Sequence, residues 1–436
     1  MLSLNKSDST LLVRGGLDLD LNDGETGALF SEALKQALKM VESSGPVLIL
    51  PPDITRFHSR AGFLTGIAAK VLGDRLGAVL PALGTHMAMT DEERFRMYPE
   101  IPAEKFRVHN WRDDVTTLGR IEETWVEKIT DGKVKYDWPI QVNKLLVDGG
   151  FSMILSIGQV VPHEVTGMAN HTKNVLIGTG GKEAIDKSHF AGAAYGMERI
   201  MGRAETPVRA LFDEGFKRFG DIIPPVFFVL TVVGSRSDGS LALRGLYAGF
   251  GRECFEKAAA LSQQVNVDIM DEPIKKAVVY LEPEEFRTTW LGNKAIYRTR
   301  MAMADGGELL VLAPGLERFG EDRKVDALIR KFGYRPSKVI LEKVKSEKEL
   351  VENLSVAAHL IHGSSEERFT VRYCPGPGLS RAEVESAGFK WGSLDDALAR
   401  YDVKKLKLGL NTLSDGEKIF FVPNPALGLW VEKSRF

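Results

Sequence analysis

The chain reads as α/β, with two α/β domains and a site expected in the cleft between them. Three observations predict this. Short apolar, β-like runs alternate with segments of helical period along most of the 436 residues, the pattern of sheets covered by helices. The stretch 265–273 (VNVDIMDEP) breaks that alternation after a strong helix and reads as a hinge, placing a first domain at 1–268 and a second at 269–412. Finally, several β-like runs in the first half end in polar residues, and open α/β sheets build their sites at the carboxyl ends of strands.

The elements follow in order. Residues 25–42 repeat apolar pairs at helical spacing (Ala28-Leu29, Ala33-Leu34, Ala37-Leu38) and predict a helix. The runs 46–50 (PVLIL), 76–83 (LGAVLPAL) and 152–161 (SMILSIGQVV) predict buried strands. Residues 90–104 predict a capped helix ending near Pro99, and the DGK at 131–133 a hairpin-like turn. Helices are expected at 191–200, 207–219 and 253–264, around a buried strand at 226–233. In the second half, strands are expected at 277–281, 309–312, 339–341, 369–373 and 418–422. Helices are expected there at 286–304, 322–332, 346–359 and 394–401.

Composition excludes several classes. A net charge of −2 offers no basic footprint for nucleic acid and no polybasic membrane signal. No apolar stretch reaches membrane-spanning length. The two cysteines, Cys254 and Cys374, form neither a metal motif nor a disulfide framework. The start, MLSLNKSDSTLLVRGG, lacks an apolar core of signal-peptide length, so a cytoplasmic location is expected.

The chemistry concentrates where strands end. The run 46–50 leads into Asp53-Ile-Thr-Arg56, the run 76–83 into Gly84-Thr85-His86, and the run 152–161 into His163. If these strands are parallel neighbours, the side chains converge. Arg56 offers a planar fork for a carboxylate or phosphate, and His86 and His163 suit proton transfer near neutral pH. Lys173 follows His163 by ten residues and precedes His189 by sixteen. The turn Gly178-Thr-Gly-Gly181 reads either as a nest of amides for a phosphate or as a plain glycine-rich turn.

These segments together resemble the nickel-pincer lactate racemase family. The resemblance rests on DITR at 53–56, GTH at 84–86, PHEVTG with Lys173 after it, Ser188-His189, and more weakly Lys294; it extends to the final FFVPNPALGLWV. It implies that Lys173 covalently holds a pyridinium mononucleotide whose two sulfur arms bind nickel, and that His189 ligates the nickel. His86 and His163 then serve as acid/base groups, one on each face of a 2-hydroxy acid. Arg56 and Lys294 bind the substrate carboxylate, with Asp53 and Trp290 also expected at the substrate. It implies a tail, 413–436, packed back on the first domain, and a dependence on cofactor-biosynthesis enzymes. The physical logic agrees. Carbon 2 beside an ionised carboxylate loses a proton with difficulty, but yields a hydride once the hydroxyl proton is taken, and the planar 2-oxo acid can be reduced on either face.

The sequence also departs from the family. Met87-Ala88 stands where lactate racemases carry Arg-Pro, and Asn170-His171-Thr172 where they carry Gly-Gly-Arg. Trp290 and Leu291 replace a tyrosine and a glutamine, and an aromatic wall residue falls near Leu354. Together with His58, Asn170 and His171, this pattern predicts a substrate larger or more polar than lactate, an aldonate being one candidate. Lactate racemisation proper remains an alternative. So does a zinc-dependent hydrolase using His163, His171 and His189, although Gly167 stands where HExxH needs its second histidine. A non-catalytic binder has no need of two proton-transfer groups, and a nicotinamide dehydrogenase lacks its glycine fingerprint.

Overall fold

The computed structural model describes residues 4–6, 9–236, 240–426 and 428–436. Residues 1–3 and 7–8 of the N-terminal stretch, and Leu427 of the final segment, lie outside the described residues. The chain divides into two compact units, 1–191 with 200–266, and 192–199 with 267–436.

The first unit is built on ten strands: β1 (Thr10–Gly15), β2 (Val47–Leu50), β3 (Leu76–Val79), β4 (Val115–Ile121), β5 (Trp138–Asn143), β6 (Met153–Gln159), β7 (Pro162–His163), β8 (Gly167–Met168), β9 (Val226–Ser235) and β10 (Leu241–Gly249). Its main sheet has the order β1-β10-β9-β6-β2-β3. Strands β9, β6, β2 and β3 run parallel, while β10 is antiparallel to both β9 and β1. The helices are α1 (Asp23–Met40), α2 (Ala61–Leu72), α3 (Asp91–Met97), α4 (Glu123–Ile129), α5 (Leu145–Asp148), α6 (Thr172–Leu176), α7 (Lys182–Tyr195), α8 (Pro207–Phe219) and α9 (Glu253–Asn266).

Local chemistry explains these starts and stops. Asn22 caps α1 through Glu25 N–H, Thr90 and Glu93 form a capping box on α3, and Thr206 with Pro207 opens α8. The β2 and β6 runs are buried at every position, as strands covered on both faces require. On one face Phe30 and Leu34 of α1 and Leu64 and Ala68 of α2 pack against Ile49, Val79, Leu155 and Val229.

The second unit has β11 (Val267–Met270), β12 (Ile274–Tyr280), β13 (Met303–Ala313), β14 (Thr370–Pro375), β15 (Lys390–Trp391), β16 (Gly409–Thr412), β17 (Lys418–Val422) and β18 (Leu429–Glu432). Its sheet order is β15-β14-β13-β12-β17-β16, parallel except for the edge strand β16. Its helices include α10 (Thr289–Gly292), α11 (Lys294–Thr299), α12 (Arg323–Phe332), α13 (Ser337–Ser346), α14 (Lys348–Val351) and α15 (Leu354–His362). The architecture is therefore α/β in both units. Of the tail expected against the first domain, β17 lies in the second unit's sheet and β18 pairs with β11.

Several elements differ from the sequence reading, among them the helix expected at 346–359, which forms as α14 and α15, and the one expected at 191–200, where α7 ends at Tyr195. The strand expected at 339–341 lies inside α13, where Ile340 is buried and Val339 exposed, the spacing of a helix with one apolar face. The helix expected at 286–304 splits into α10 and α11 at Asn293. The DGK turn links α4 to β5 rather than closing a tight hairpin.

The small β7–β8 hairpin carries His163 and depends on Gly167. Its φ is +83°, and a Cβ there would lie 2.0 Å from the Arg203 carbonyl oxygen. Gly167→Ala should cost at least about 1–3 kcal/mol of stability, the range for a side chain forced into a sparsely populated backbone region. Denaturant titration checks this; an unchanged midpoint would show that the hairpin relaxes freely.

Candidate active site

Strands β2, β3 and β6 are parallel neighbours, so the residues that follow them gather at one end of the sheet. Asp53 is buried and caps a short 3-10 turn (Ile54–Ser59), accepting from Thr55 N–H at 3.2 Å. Its other oxygen faces His86 Nδ1 at 2.6 Å. Burial opposes its charge, but the His86 ring and bond, the Thr55 hydroxyl and the Arg56 charge outweigh burial and hold the carboxyl below its ordinary pKa. Asp53 therefore acts on His86: it orients the ring so that Nε2 presents a lone pair.

Arg56 is half-buried on the same turn, and its guanidinium makes no hydrogen bond or ion pair among the described residues. Its charge is felt at Asp53, His163 and Lys173 alike. His163 is buried, its Nδ1 accepts from Val165 N–H at 3.1 Å, and Glu164 lies 3.9 Å from its Nε2. Burial, then Lys173, Arg56 and His189, push its pKa well below the ordinary histidine value against the pull of Glu164.

Lys173 opens onto this group from the first turn of α6. Asn174 beside it donates to the Leu50 carbonyl at the end of β2 (3.1 Å) and to Ser156 Oγ on β6 (2.9 Å). These bonds tie the helix to the strand ends. Burial first, then Arg56, lower the Lys173 amine to a pKa of about 8, and it has no hydrogen-bond or ion-pair partner among the described residues. His189, on α7, donates from Nδ1 to the Ile185 carbonyl at 2.8 Å, leaving Nε2 as a lone pair. Burial and Lys173 lower its pKa to about 4, so the ring is neutral at pH 7. A neutral imidazole whose second nitrogen is fixed by a carbonyl is a metal ligand in its ready state.

The segment that delivers Lys173 is held by a residue that sequence reading did not find. Arg209 of α8 is fully buried and donates to the carbonyls of Met168 (2.6 Å) and Asn170 (3.1 Å) and to Thr172 Oγ1 (3.0 Å). Thr172 in turn donates to Asp213 at 2.6 Å. No motif marks Arg209, because its acceptors are backbone carbonyls some forty residues away.

Other expected residues lie elsewhere. His171 stacks against Phe228 and Phe255, with Nε2 3.2 Å from the Gly251 carbonyl. Its ring is part of the core, so the zinc set with His163 and His189 does not form; among the described residues no group of three His, Cys, Asp or Glu is placed to hold a metal. Asn170 packs on Gly158 of β6 and, like His171, is buried. His58 is exposed and lines a separate cavity of about 450 Å³ with Arg60, Lys70 and Arg96. The nest at 178–181 is not available: the amides of Gly178, Thr179 and Gly180 already donate to Lys173, Val175 and Ile177 carbonyls. The plain glycine turn is what forms, because a Cβ at Gly178 or Gly180 would meet backbone oxygens at 2.2 Å.

Trp290 and Lys294 belong to the second unit, at the start of α10 and α11. Trp290 stacks on His359 with ring centroids 4.4 Å apart. The His359 nitrogens pair with the hydroxyls of Tyr297 and Tyr334, each at 2.8 Å. Lys294 Nζ lies 5.5 Å from the Phe286 ring centroid.

Comparisons with known proteins agree with the sequence resemblance. Residues 28–199 match the family model of the lactate racemase N-terminal domain. A crystal structure of a Thermotoga maritima protein from a structural genomics programme matches with a TM-score of 0.80 at 24% identity, covering 96% of this chain and 100% of that one. The lactate racemase apoprotein from Thermoanaerobacterium thermosaccharolyticum matches with a TM-score of 0.65 at 14% identity, covering 99% of this chain and 96% of that one. No curated protein sequence matches the chain.

Two outcomes test this geometry. Arg209→Met should cost about 3–5 kcal/mol, the range for breaking a buried charge network; a loss under about 1 kcal/mol in denaturant titration would remove Arg209 from its holding role. Lys173 has a folded pKa of about 8, below its unfolded value of about 10.4. Its ionised form is therefore disfavoured in the fold, and its destabilising effect is present below pH 8 and fades as pH rises from about 8 to about 10.4. Lys173→Met should be more stable than wild type at pH 7, with the difference shrinking across that window. A pH-independent difference would contradict the lowered amine.

Proposed function

From a chain whose residues 28–199 place it in the lactate racemase-like family, we propose a racemase or epimerase that inverts carbon 2 of a 2-hydroxy acid with a lysine-tethered nickel-pincer nucleotide. One observation carries this reading. An unpartnered, half-buried amine at Lys173 stands beside a neutral His189 with a free Nε2 lone pair and an unpartnered Arg56. The residues fit the group: Lys173 is the nucleophile that a covalent tether requires, and His189 Nε2 is the imidazole ligand suited to square-planar nickel. When bound, the group supplies a reversible hydride acceptor at carbon 2.

The chain's own residues supply the rest. Asp53 holds His86 through Nδ1, so in the neutral ring the lone pair lies at Nε2, where it can take the hydroxyl proton from the substrate. Arg56 provides a planar donor fork for the carboxylate without giving up an existing partner. His163, whose ring feels the charges of Lys173 and Arg56, is proposed as the second proton-transfer group. Lys294 and Trp290 are also proposed as substrate-binding residues, and loading is proposed to depend on separate biosynthetic enzymes.

The substrate is proposed to be larger or more polar than lactate. Met87, Trp290, Leu291 and Leu354 carry this reading, whereas Asn170 and His171 do not. A wall built for extra hydroxyls rejects an analogue lacking them more strongly than an apolar slot rejects one methylene.

In a host that makes the nucleotide, intact mass and peptide mapping should place the added mass on Lys173, and Lys173→Ala should carry none. An adduct on Lys182 or Lys187 would move the assignment; unmodified protein from a competent host would count against the cofactor. Replacing His86 by Asn should lower turnover by about 10²–10⁴-fold, the range for positioned proton transfer, with attachment intact. Loaded enzyme should turn over aldonates or malate with a higher kcat/KM than lactate. If lactate ranks first, the reading of the pocket wall fails while the C2 chemistry stands.

A further inference from the structure

The cavity of about 450 Å³ in the first unit lies outside the site described above, and its volume is that of a small-molecule pocket. Its walls come from the turn 54–59, from α2 and from the end of α3 with the residues after it. Arg56, His86 and Lys173 are not among its described walls. Helix α2 carries Gly62 and Gly66 one turn apart. A Cβ at Gly62 would lie 2.0 Å from the Met97 carbonyl oxygen, and one at Gly66 2.7 Å from Glu100 Oε2. The two segments therefore close tightly along those glycines, and the longer side chains beside them, Phe63, Ile67 and Lys70, line the cavity.

The lining joins two chemistries. Ile67, Met97 and Ile101 give it an apolar part. Arg60, Lys70 and Arg96 give it three cations, against Glu100 as the one carboxylate among the described residues of the lining. Lys70 donates to Glu100 at 2.9 Å, and Arg60 pairs with Asp23 from outside the lining, so three cations still outnumber two carboxylates. Both guanidiniums lie over aromatic rings: the Arg60 carbon is 4.7 Å from the Phe63 centroid, and the Arg96 carbon 4.8 Å from that of Phe57. A guanidinium stacked in this way keeps its N–H donors directed outward in its own plane, the geometry that meets a carboxylate or phosphate. The Phe57 ring is 38% exposed, so apolar surface is left for a ligand to cover.

We propose that this cavity binds a small aromatic anion, a carboxylate or phosphate ester carried on a ring-sized apolar body. An inorganic anion satisfies the cations but leaves the apolar walls wet. A neutral hydrocarbon covers the walls but strips water from the cations without replacing it. A ligand with both parts does neither, and its ring finds aromatic partners in Phe57 and Phe63. The proposal is independent of the C2 chemistry. The two sites share one element, the turn 54–59, which gives Phe57 and His58 to the cavity and Arg56 to the candidate active site.

Methyl spectra of the full chain test this, with 3-phenylpropionate and phenyl phosphate as probes and 3-phenylpropanol and inorganic phosphate as controls. Ile67→Val and Met97→Leu identify the two reporting methyl signals by their loss. The expected result is a saturable shift of both signals with the aromatic anions. Their dissociation constants should be at least about tenfold below those of either control, a gap of about 1.4 kcal/mol. If only one aromatic anion binds in this way, the site stands and that probe names the head group. Arg96 and Phe57 are exposed, so Arg96→Ala and Phe57→Ala keep the fold, and Arg96→Ala should weaken binding by about tenfold, as for a lost hydrogen bond to a charged group. Arg56→Met should leave the affinity unchanged, because a carboxylate held at the candidate active site would need Arg56. No saturable shift at Ile67 and Met97 with either aromatic anion overturns the proposal. So does the alcohol or inorganic phosphate binding as tightly as the aromatic anions, and so does binding that Arg56→Met abolishes and Arg96→Ala spares.

Discussion

The buried guanidinium of Arg209 is the interaction on which the site's geometry rests. Between β8 and α6 the chain must turn sharply while buried, and both Asn170 and His171 adopt positive φ, 68° and 58°. Such conformations cost about 1–3 kcal/mol each and persist only where surroundings determine them. Arg209 does this by satisfying the Met168 and Asn170 carbonyls and the Thr172 hydroxyl together. The cation is offset by Asp213 and by the face of Phe255, 4.3 Å from the guanidinium carbon. Asn174 then anchors α6 to the ends of β2 and β6, so Lys173 emerges at a defined place.

The electrostatics of the first unit follow from that placement. Arg56, Lys173, His163 and His189 are crowded together, with Asp53, Glu164 and Asp186 as the counter-charges felt there. Burial and mutual repulsion keep the imidazoles neutral and ease the amine toward its free-base form. Such a group is short of negative charge. An arriving carboxylate or nucleotide phosphate would meet cations that have given up nothing to wait for it, because the side chains of Arg56 and Lys173 have no hydrogen-bond or ion-pair partner among the described residues. This is preorganisation in the electrostatic sense: the cost of unpaired charge is met in folding rather than at binding.

The second unit shows the same economy of support. Thr289 pairs with Tyr334, Tyr334 and Tyr297 pair with His359, and His359 carries Trp290 on its face. The short helices α10 and α11, which bear Trp290 and Lys294, are thus fastened by a buried polar network in which both His359 ring nitrogens have partners. Asn293, where the two helices part, accepts from the Tyr373 hydroxyl at 2.6 Å. The break is therefore held by tertiary contacts, which is why the helical period across 286–304 gave no sign of it.

Periodicity and end signals alone determined the α/β class, most helices and the buried parallel strands, because apolar spacing and capping residues act within a few neighbours. The same local grammar placed Asp53, Arg56, His86 and His163 after strand ends, and once those strands proved to be parallel neighbours their convergence followed. What tertiary structure decided lay beyond such reach. His171 and Asn170 looked polar and available, but a sharp turn drives them into the core against Phe228, Phe255 and Gly158. The turn at 178–181 read equally as an anion nest or a plain glycine turn, and the amides of Gly178, Thr179 and Gly180 bond within the chain's own turn. Asp53 looked like a substrate ligand, but its carboxylate belongs to His86 across 33 residues. In each case the deciding fact is which donor meets which acceptor once distant segments are buried together, and a single sequence carries no local mark of that pairing.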